Sequence, residues 1–159
     1  MSIVGRAAPP AFRRVAAAAD LDELLRDGAH VKLLVLRASW CGACHRFFEN
    51  AQQVIDECTA LAERNSQELK AVRERTTHMY EVDAVLFEKD KALEDAFWQV
   101  ATGTASPAEG WGYPTAVALA GAPGRLRRCV SDYKPMKGSG ETFSAKVMLQ
   151  KFLKGAVPW

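Results

Sequence analysis

Residues 33–44 read Leu33-Leu34-Val35-Leu36-Arg37-Ala38-Ser39-Trp40-Cys41-Gly42-Ala43-Cys44. The apolar run predicts a buried strand, and the apolar residues that recur every three or four positions after the cysteines predict an amphipathic helix. Cys41 therefore stands at a helix N-terminus, where unpaired backbone N–H groups and the helix dipole favour a thiolate. Cys44 follows one helical turn later, close enough to form a disulfide with Cys41. The stretch indicates thiol–disulfide exchange.

The composition is typical of one globular domain with a sizeable core. Of the 159 residues, 48% are hydrophobic and 25% are charged, and the net charge is +2. So small a net charge does not indicate a nucleic-acid partner, and no apolar run approaches the ~20 residues of a membrane-spanning helix. We expect a monomer that binds neither nucleic acid nor membrane.

The cysteines and histidines do not form a recognisable metal-binding pattern. A structural zinc site usually needs a second Cys-x-x-Cys pair or paired histidines. The other two cysteines, Cys58 and Cys129, are isolated, and His30, His45 and His78 are scattered along the sequence. We therefore expect no metal site. Cys58 is interpreted as a small buried residue, and Cys129 as a packed residue of an edge strand, with a regulatory role as its alternative.

The N-terminal residues bear on the compartment. Ile3-Val4 is followed at once by Gly5-Arg6, so no secretory hydrophobic segment is present in this sequence. Residues 1–19 contain three arginines and no acidic residue before Asp20, which weakly resembles an organellar transit peptide. We expect a flexible extension over residues 1–11 and a cytoplasmic location, with an organelle such as the mitochondrion as the alternative.

Apolar periodicity and turn residues predict the element order β-α-β-α-β-α-β-β-α. The predicted strands cover residues 12–15, 31–38, 77–87, 115–120 and 126–130. The predicted helices cover residues 21–27, 41–75, 91–101 and 143–154, with a bend at Asn65-Ser66. Parallel crossovers followed by a hairpin predict an α/β fold in which a mixed sheet carries helices on both faces.

Three segments resemble the thioredoxin family. They are Ala38-Ser39-Trp40-Cys41-Gly42-Ala43-Cys44, the strand Glu81-Val82-Asp83, and Gly112-Tyr113-Pro114-Thr115 before a strand. The element order is similar over residues 12–155, with 156–159 left as a C-terminal tail. The resemblance implies a three-layer thioredoxin-like fold with a central sheet of four to five strands.

The resemblance also implies roles for individual residues. Cys41 would attack a disulfide and Cys44 would resolve the mixed disulfide, with Gly42 and Ala43 between them. Trp40 would wall the site, and Pro114, with a cis peptide bond, would shape a groove in which Tyr113 offers backbone groups to an extended substrate. The implied function is a thiol–disulfide oxidoreductase for protein disulfides. It would use a reductase or small thiol as electron donor and no cofactor beyond the Cys41–Cys44 disulfide.

An alternative function is a redox-linked binding module with weak catalysis, which would recognise a partner through the Tyr113–Pro114 groove. Trp111, in the loop beside this segment, is a candidate for lining the groove, whereas Trp98 is interpreted as a core residue of a helix.

The sequence departs from the family pattern near the cysteines. Val35 stands where many members carry a buried carboxylate that serves the resolving thiol, and Glu81 stands where many carry a lysine. His45 either tunes the thiols or is an exposed helix residue, and Arg37 either adds positive potential or stacks on the surface. His45, Glu81 or water would then have to replace the missing base. These departures favour a specialised relative over a housekeeping thioredoxin.

Overall fold

The protein is described by a computed structural model that covers residues 12–121, 125–131 and 144–155. The elements in chain order are β1 (Arg13–Val15), α1 (Ala18–Arg26), β2 (Lys32–Arg37), α2 (Gly42–Ala62), α3 (Ser66–Thr76), β3 (Met79–Asp83), α4 (Ala84–Lys89), α5 (Lys91–Thr102), β4 (Thr115–Ala120), β5 (Leu126–Ser131) and α6 (Ala145–Leu153). The expected extension 1–11, the tail 156–159 and position 143 of the last predicted helix lie outside the described residues.

The strands form one mixed sheet in the order β1-β3-β2-β4-β5. β1 and β2 both pair in parallel with β3, while β4 is antiparallel to β2 and β5 is antiparallel to β4. β2 lies at the centre, and its apolar run is buried on both faces because Leu33 and Val35 point to one side and Leu34 and Leu36 to the other. The predicted mixed sheet is confirmed, and β5 is an edge strand as expected.

Helices cover both faces of the sheet, which gives the expected three-layer α/β architecture. One face packs against α2, α3 and α6 through side chains such as Val54, Val72 and Leu149. The other packs against α1, α4 and α5 through side chains such as Leu21, Phe87 and Phe97. Within the described part of the chain, no helix is long and apolar enough to cross a membrane.

The long helix predicted over residues 41–75 is two helices, so the expected bend at Asn65-Ser66 is a complete break. Asn65 caps α3, and its side-chain oxygen accepts the backbone N–H groups of Gln67 and Glu68 at 3.0 and 3.1 Å. An asparagine side chain that satisfies free N–H groups in this way favours a new helix start over continuation of the old helix.

The predicted strand 77–87 was wrong in its second half. β3 ends at Asp83, whose carboxylate accepts the N–H of Val85 at 3.0 Å and begins the short helix α4. The apolar residues that follow belong to this helix, and Asp90 then caps α5 through the N–H of Leu93. The Asp83 cap therefore separates β3 from α4, which apolar content alone had merged, and α5 begins at Lys91 as predicted.

The start of α1 also differs from the prediction. The helix begins at Ala18, three residues before the predicted start, and Asp20 lies inside its first turn instead of preceding it. The Asp20 carboxylate accepts the N–H groups of Ala16 and Ala17 at 2.9 and 3.2 Å, so it stabilises the entry of the chain into the helix from within.

Candidate active site

Cys41 is the N-cap residue of α2, in the connection that follows the central strand β2. The backbone N–H of Cys44 donates to the Cys41 sulfur at 3.2 Å, and the Cys41 carbonyl accepts the N–H of His45. The thiol thus occupies the place that a serine or aspartate oxygen takes at other helix starts. The predicted position of Cys41 at a helix N-terminus is confirmed.

The Cys41 thiol also reaches the second segment singled out from the sequence. It donates to the carbonyl of Tyr113 at 3.4 Å, although 72 residues separate the two along the chain. The Tyr113–Pro114 peptide bond is cis, as the resemblance implied, and Pro114 is buried. Gly42 is exposed and Ala43 is half-buried, so no large side chain between the cysteines covers the half-exposed Cys41.

Cys44 lies in a different environment from Cys41. Its side chain is 1% exposed, and its sulfur accepts the N–H of Ala38 at 3.5 Å. Burial raises the pKa of Cys44 to about 12, against the smaller lowering effect of the Ala38 N–H. An accessible thiol and a buried, protonated thiol therefore stand one helical turn apart.

Val35 and Glu81 are neighbours on the sheet face that α2 covers. Val35 is fully buried, and its Cα partner on β3 is Glu81. The Glu81 carboxylate is held between Arg37 at 3.1 Å and Arg14 at 3.6 Å. Val35 therefore has the Glu81 carboxylate beside it on β3, and this carboxylate is already paired with two arginines.

Arg37 combines the two roles that the sequence left open. Its guanidinium stacks over the ring of Phe48, 3.9 Å from the centroid, while also contacting Glu81. Its charge makes a small contribution that lowers the pKa of Cys44, weaker than the opposing effect of burial. Arg37 therefore both packs on the surface and adds positive potential near the buried thiol.

The His45 ring contacts the turn before Cys41. It is exposed, and its Nε2 lies 2.7 Å from the Ser39 carbonyl. This arrangement fits an exposed helix histidine that steadies the turn before Cys41. Direct proton transfer between the ring and either sulfur would require the ring to leave Ser39.

A row of aromatic rings links the surface of the site to the core. Trp40 is 60% exposed, and its ring lies edge-on to Tyr113 with centroids 6.0 Å apart. The ring centroid of Trp111 lies 5.3 Å from that of Tyr113 and 5.1 Å from that of Trp98. Trp98 is buried as predicted. The half-buried Trp111 therefore anchors the loop that leads to Pro114 and supports Tyr113 from behind.

Sequence reasoning missed the polar groups that hold the Tyr113 segment in place. The hydroxyls of Thr115 and Ser131 both donate to the Gly112 carbonyl, and the Ser131 hydroxyl also contacts the Pro114 carbonyl at 3.4 Å. Burial raises the pKa of Tyr113 to about 12, and the negative charge of Glu88 adds to the shift. No sequence signal identifies Ser131 or Glu88, because both lie on other elements, whereas Thr115 belongs to the quoted motif.

The remaining cysteines occupy the positions expected of them. Cys58 is on the buried face of α2, and Cys129 is half-buried on the edge strand β5. Burial raises the pKa of Cys129 to about 12. All four cysteines of the chain are free thiols in this structure.

Two of the histidines that are scattered along the sequence lie together in the structure. His30 and His78 stack with ring centroids 4.4 Å apart, and Glu74 lies beside them. They meet because His30 lies shortly before β2 and His78 lies directly before β3, and these two strands are adjacent and parallel. Spacing along the chain gave no indication of this contact.

Comparison of the chain with known protein families, with characterised proteins and with solved structures returns no match.

Proposed function

We propose that this chain is a thiol–disulfide oxidoreductase of the thioredoxin family that acts on protein disulfides through Cys41 and Cys44. The observation that carries the proposal is the contact of the half-exposed Cys41 thiol with the Tyr113 carbonyl, one residue before Pro114. A nucleophilic sulfur at a helix start beside an open peptide segment is the arrangement that attack on a disulfide in an extended chain requires.

In the first proposed step, the Cys41 thiolate attacks one sulfur of the substrate disulfide. A Cys41–substrate disulfide forms, the substrate S–S bond breaks, and the second substrate sulfur leaves as a thiolate that takes a proton from water. The N–H of Cys44, 3.2 Å from the Cys41 sulfur, is placed to stabilise negative charge there. This contact favours Cys41 both as attacking group and as leaving group.

In the second proposed step, Cys44 gives up its proton and attacks the Cys41 sulfur. The Cys41–Cys44 disulfide forms and the remaining substrate sulfur leaves as a thiolate, so two electrons pass from the dithiol to the substrate. A reductase or a small thiol then returns two electrons to the protein. Deprotonation of Cys44 is the demanding part, because burial raises its pKa to about 12 and Val35 offers no base.

The raised pKa of the buried Cys44 thiol also supports the second candidate function, a redox-linked binding module. Slow resolution would prolong the mixed disulfide, and the exposed Trp40 beside Tyr113 offers an apolar surface to a bound partner. Such a module would hold its partner tightly and turn over slowly. The two candidates therefore differ in the ratio of turnover rate to affinity.

The first prediction is that the chain reduces insulin disulfides in the presence of dithiothreitol and that Cys41→Ser abolishes this activity. Precipitation of the free insulin B chain gives the rate. Cys129→Ser is the matched control, since it removes one thiol far from α2 and should keep the wild-type rate. A Cys41→Ser protein that retains full activity would refute the assignment of Cys41.

A trapping experiment separates the two candidate functions. With Cys44→Ser the mixed disulfide on Cys41 has no internal attacker, so partners should accumulate as adducts that dithiothreitol releases. Wild-type turnover close to the rate of adduct formation supports the oxidoreductase. Adducts that persist in the wild-type protein support the binding module. A monomeric state and a location in the cytoplasm, or in an organelle such as the mitochondrion, complete the proposal and stay predictions.

A further inference from the structure

The stacked histidines lie at the end of the sheet opposite the dithiol. His30 precedes β2 and His78 directly precedes β3, whereas Cys41 follows the carboxyl end of β2. The His78 carbonyl accepts the N–H of Leu33 at 3.0 Å, and the His78 N–H donates to Arg75. These backbone bonds fix His78 against the central strand. Because the histidines and the dithiol lie at opposite ends of β2, the two sites have no residue in common.

Three potential metal ligands converge here. The Nδ1 atom of His30 lies 3.5 Å from a carboxylate oxygen of Glu74. One ligand atom from each of His30, Glu74 and His78 lies within 4.8 Å of the other two. The rings of the two histidines are nearly parallel, with an interplanar angle of 18°. A shared metal ion would require rotation of these side chains to bring the three atoms to a separation of about 3–3.5 Å.

A second observation points to a missing ligand. The Nδ1 atom of His78 is buried and has no hydrogen-bond partner among the described residues. Buried ring nitrogens are nearly always satisfied by protein, water or an ion, and an unsatisfied one carries a cost in free energy. A stack of two imidazoles alone leaves this cost uncompensated.

The site opens into a surface pocket of about 330 Å³ that also contains Arg75. The Arg75 guanidinium is directed to other partners, since it donates to the Leu153 carbonyl at 2.8 Å and lies 3.7 Å from Glu68. Lys32 is paired with Asp27, and the charges of Asp27, Lys32 and Arg13 all act on His78. Glu74 is the carboxylate in contact with His30, and the pocket gives an ion access from solvent.

We propose that His30, His78 and Glu74 bind one divalent transition-metal ion, with Zn²⁺ as the physiological candidate. Two imidazole nitrogens and one carboxylate oxygen form a ligand set that zinc accepts, at metal–ligand distances of about 2.0–2.2 Å. Three protein ligands leave one coordination position open toward the pocket, where water or a ligand from solvent completes the shell.

The test uses the full chain with Cys41→Ser and Cys44→Ser, because the dithiol would itself bind zinc. Isothermal titration with ZnCl₂ is expected to show one equivalent bound. Since loss of an outer-shell partner alone weakens metal binding by about 10–100-fold, His30→Ala and Glu74→Gln should each weaken it by about 100-fold or more. His45→Ala and Glu63→Gln, at an exposed histidine and an exposed glutamate on or next to α2, are the matched controls and should leave the affinity unchanged.

Cobalt spectroscopy provides a readout that does not require the His30→Ala and Glu74→Gln variants to fold. Co²⁺ added to the same protein should give visible bands of a nitrogen–oxygen site without the sulfur-to-metal charge-transfer band that a thiolate ligand produces. Absence of zinc binding, affinities that His30→Ala and Glu74→Gln do not change, or a sulfur band from Cys58 or Cys129 would each overturn the proposal. None of these outcomes affects the insulin assay, which tests the dithiol alone.

Discussion

At the residue scale, the two cysteines of the site differ in accessibility far more than their spacing suggests. Cys41 is half-exposed and caps α2, while Cys44 is buried with its pKa raised to about 12. Both follow from one helical turn, because the N-cap residue of α2 is half-exposed at the end of β2 and the third helical residue faces the sheet. The division of roles between attacking and resolving thiol therefore follows from the backbone.

The second prediction concerns this asymmetry. In reduced protein at pH 7.5, iodoacetamide should modify Cys41 first, and Cys44 should react much more slowly. A pKa of about 12, compared with the ordinary value of 9.0, reduces the Cys44 thiolate fraction roughly 1000-fold. Peptide mass spectrometry over time measures both rates. In Cys41→Ser protein the Cys44 rate should still rise about tenfold between pH 10 and pH 11, and a rate that levels off over this range would show that the thiol ionises normally.

The third prediction concerns Val35. Val35→Asp should accelerate decay of a preformed Cys41 mixed disulfide about tenfold or more near neutral pH, because a carboxylate near the buried thiol can accept its proton. It should also lower the free energy of unfolding by roughly 2–4 kcal/mol, since a polar group replaces a fully buried methyl pair.

Val35→Asn is the matched control for this change. It has the size and polarity of aspartate without the basicity, so it should cost similar stability and leave the decay rate unchanged. Stopped-flow measurement of the mixed disulfide gives both rates. Equal acceleration by the two variants would attribute the effect to loosened packing, and no acceleration by Val35→Asp would mean that another group, such as Glu81, already accepts the proton.

Single residues with strong local signals were predictable from the sequence, and residues that act across elements were not. The cysteine pair, Trp40 and the Pro114 segment each carry their own pattern. Ser131 donates a hydrogen bond to the Gly112 carbonyl from β5, and the charge of Glu88 acts on Tyr113 from α4. These contacts arise only when the chain folds, so no local pattern records them.

At the element scale, side-chain caps decide where helices begin. Asn65, Asp83 and Asp90 each accept backbone N–H groups, and the first two mark boundaries that apolar periodicity did not reveal. The helix predicted over 41–75 and the strand predicted over 77–87 both ran through such a residue. Periodicity identified which faces are buried, and the caps determine how the chain is divided.

The fourth prediction tests the cap between α2 and α3. Asn65→Ala should lower the free energy of unfolding by about 1 kcal/mol, because two N–H groups at the start of α3 lose their acceptor. Urea unfolding followed by circular dichroism measures the change. Asn50→Ala, at an exposed asparagine within α2, is the control and should be close to neutral, and an equal loss in both variants would contradict the capping role.

At the scale of the whole molecule, stability should depend on alkaline pH through buried thiols. Burial raises the pKa of Cys129 to about 12 in the folded protein, while an unfolded chain ionises this thiol near 9.0. The unfolded state therefore releases the proton first, so the contribution of Cys129 is complete below pH 9 and is lost as the pH rises toward 12.

The fifth prediction is that Cys129→Val reduces the loss of stability between pH 8 and pH 10.5 by roughly 1–2 kcal/mol. Valine fills a similar volume and suits an edge strand that pairs with Val117. Urea unfolding in the presence of reductant gives the free energy at each pH. A loss identical to that of the wild-type protein would show that Cys129 ionises equally easily in the folded and unfolded states.

The central strand β2 separates Cys41 from His30 by its full length. Its six residues, at about 3.3 Å each, span about 20 Å, which exceeds the Debye length of about 8 Å at physiological ionic strength. Charge introduced at one end is therefore screened before it reaches the other. The electrostatic potential at the dithiol is therefore independent of the charges at the histidine end. Substitutions there can accumulate without changing the reduction potential of the dithiol.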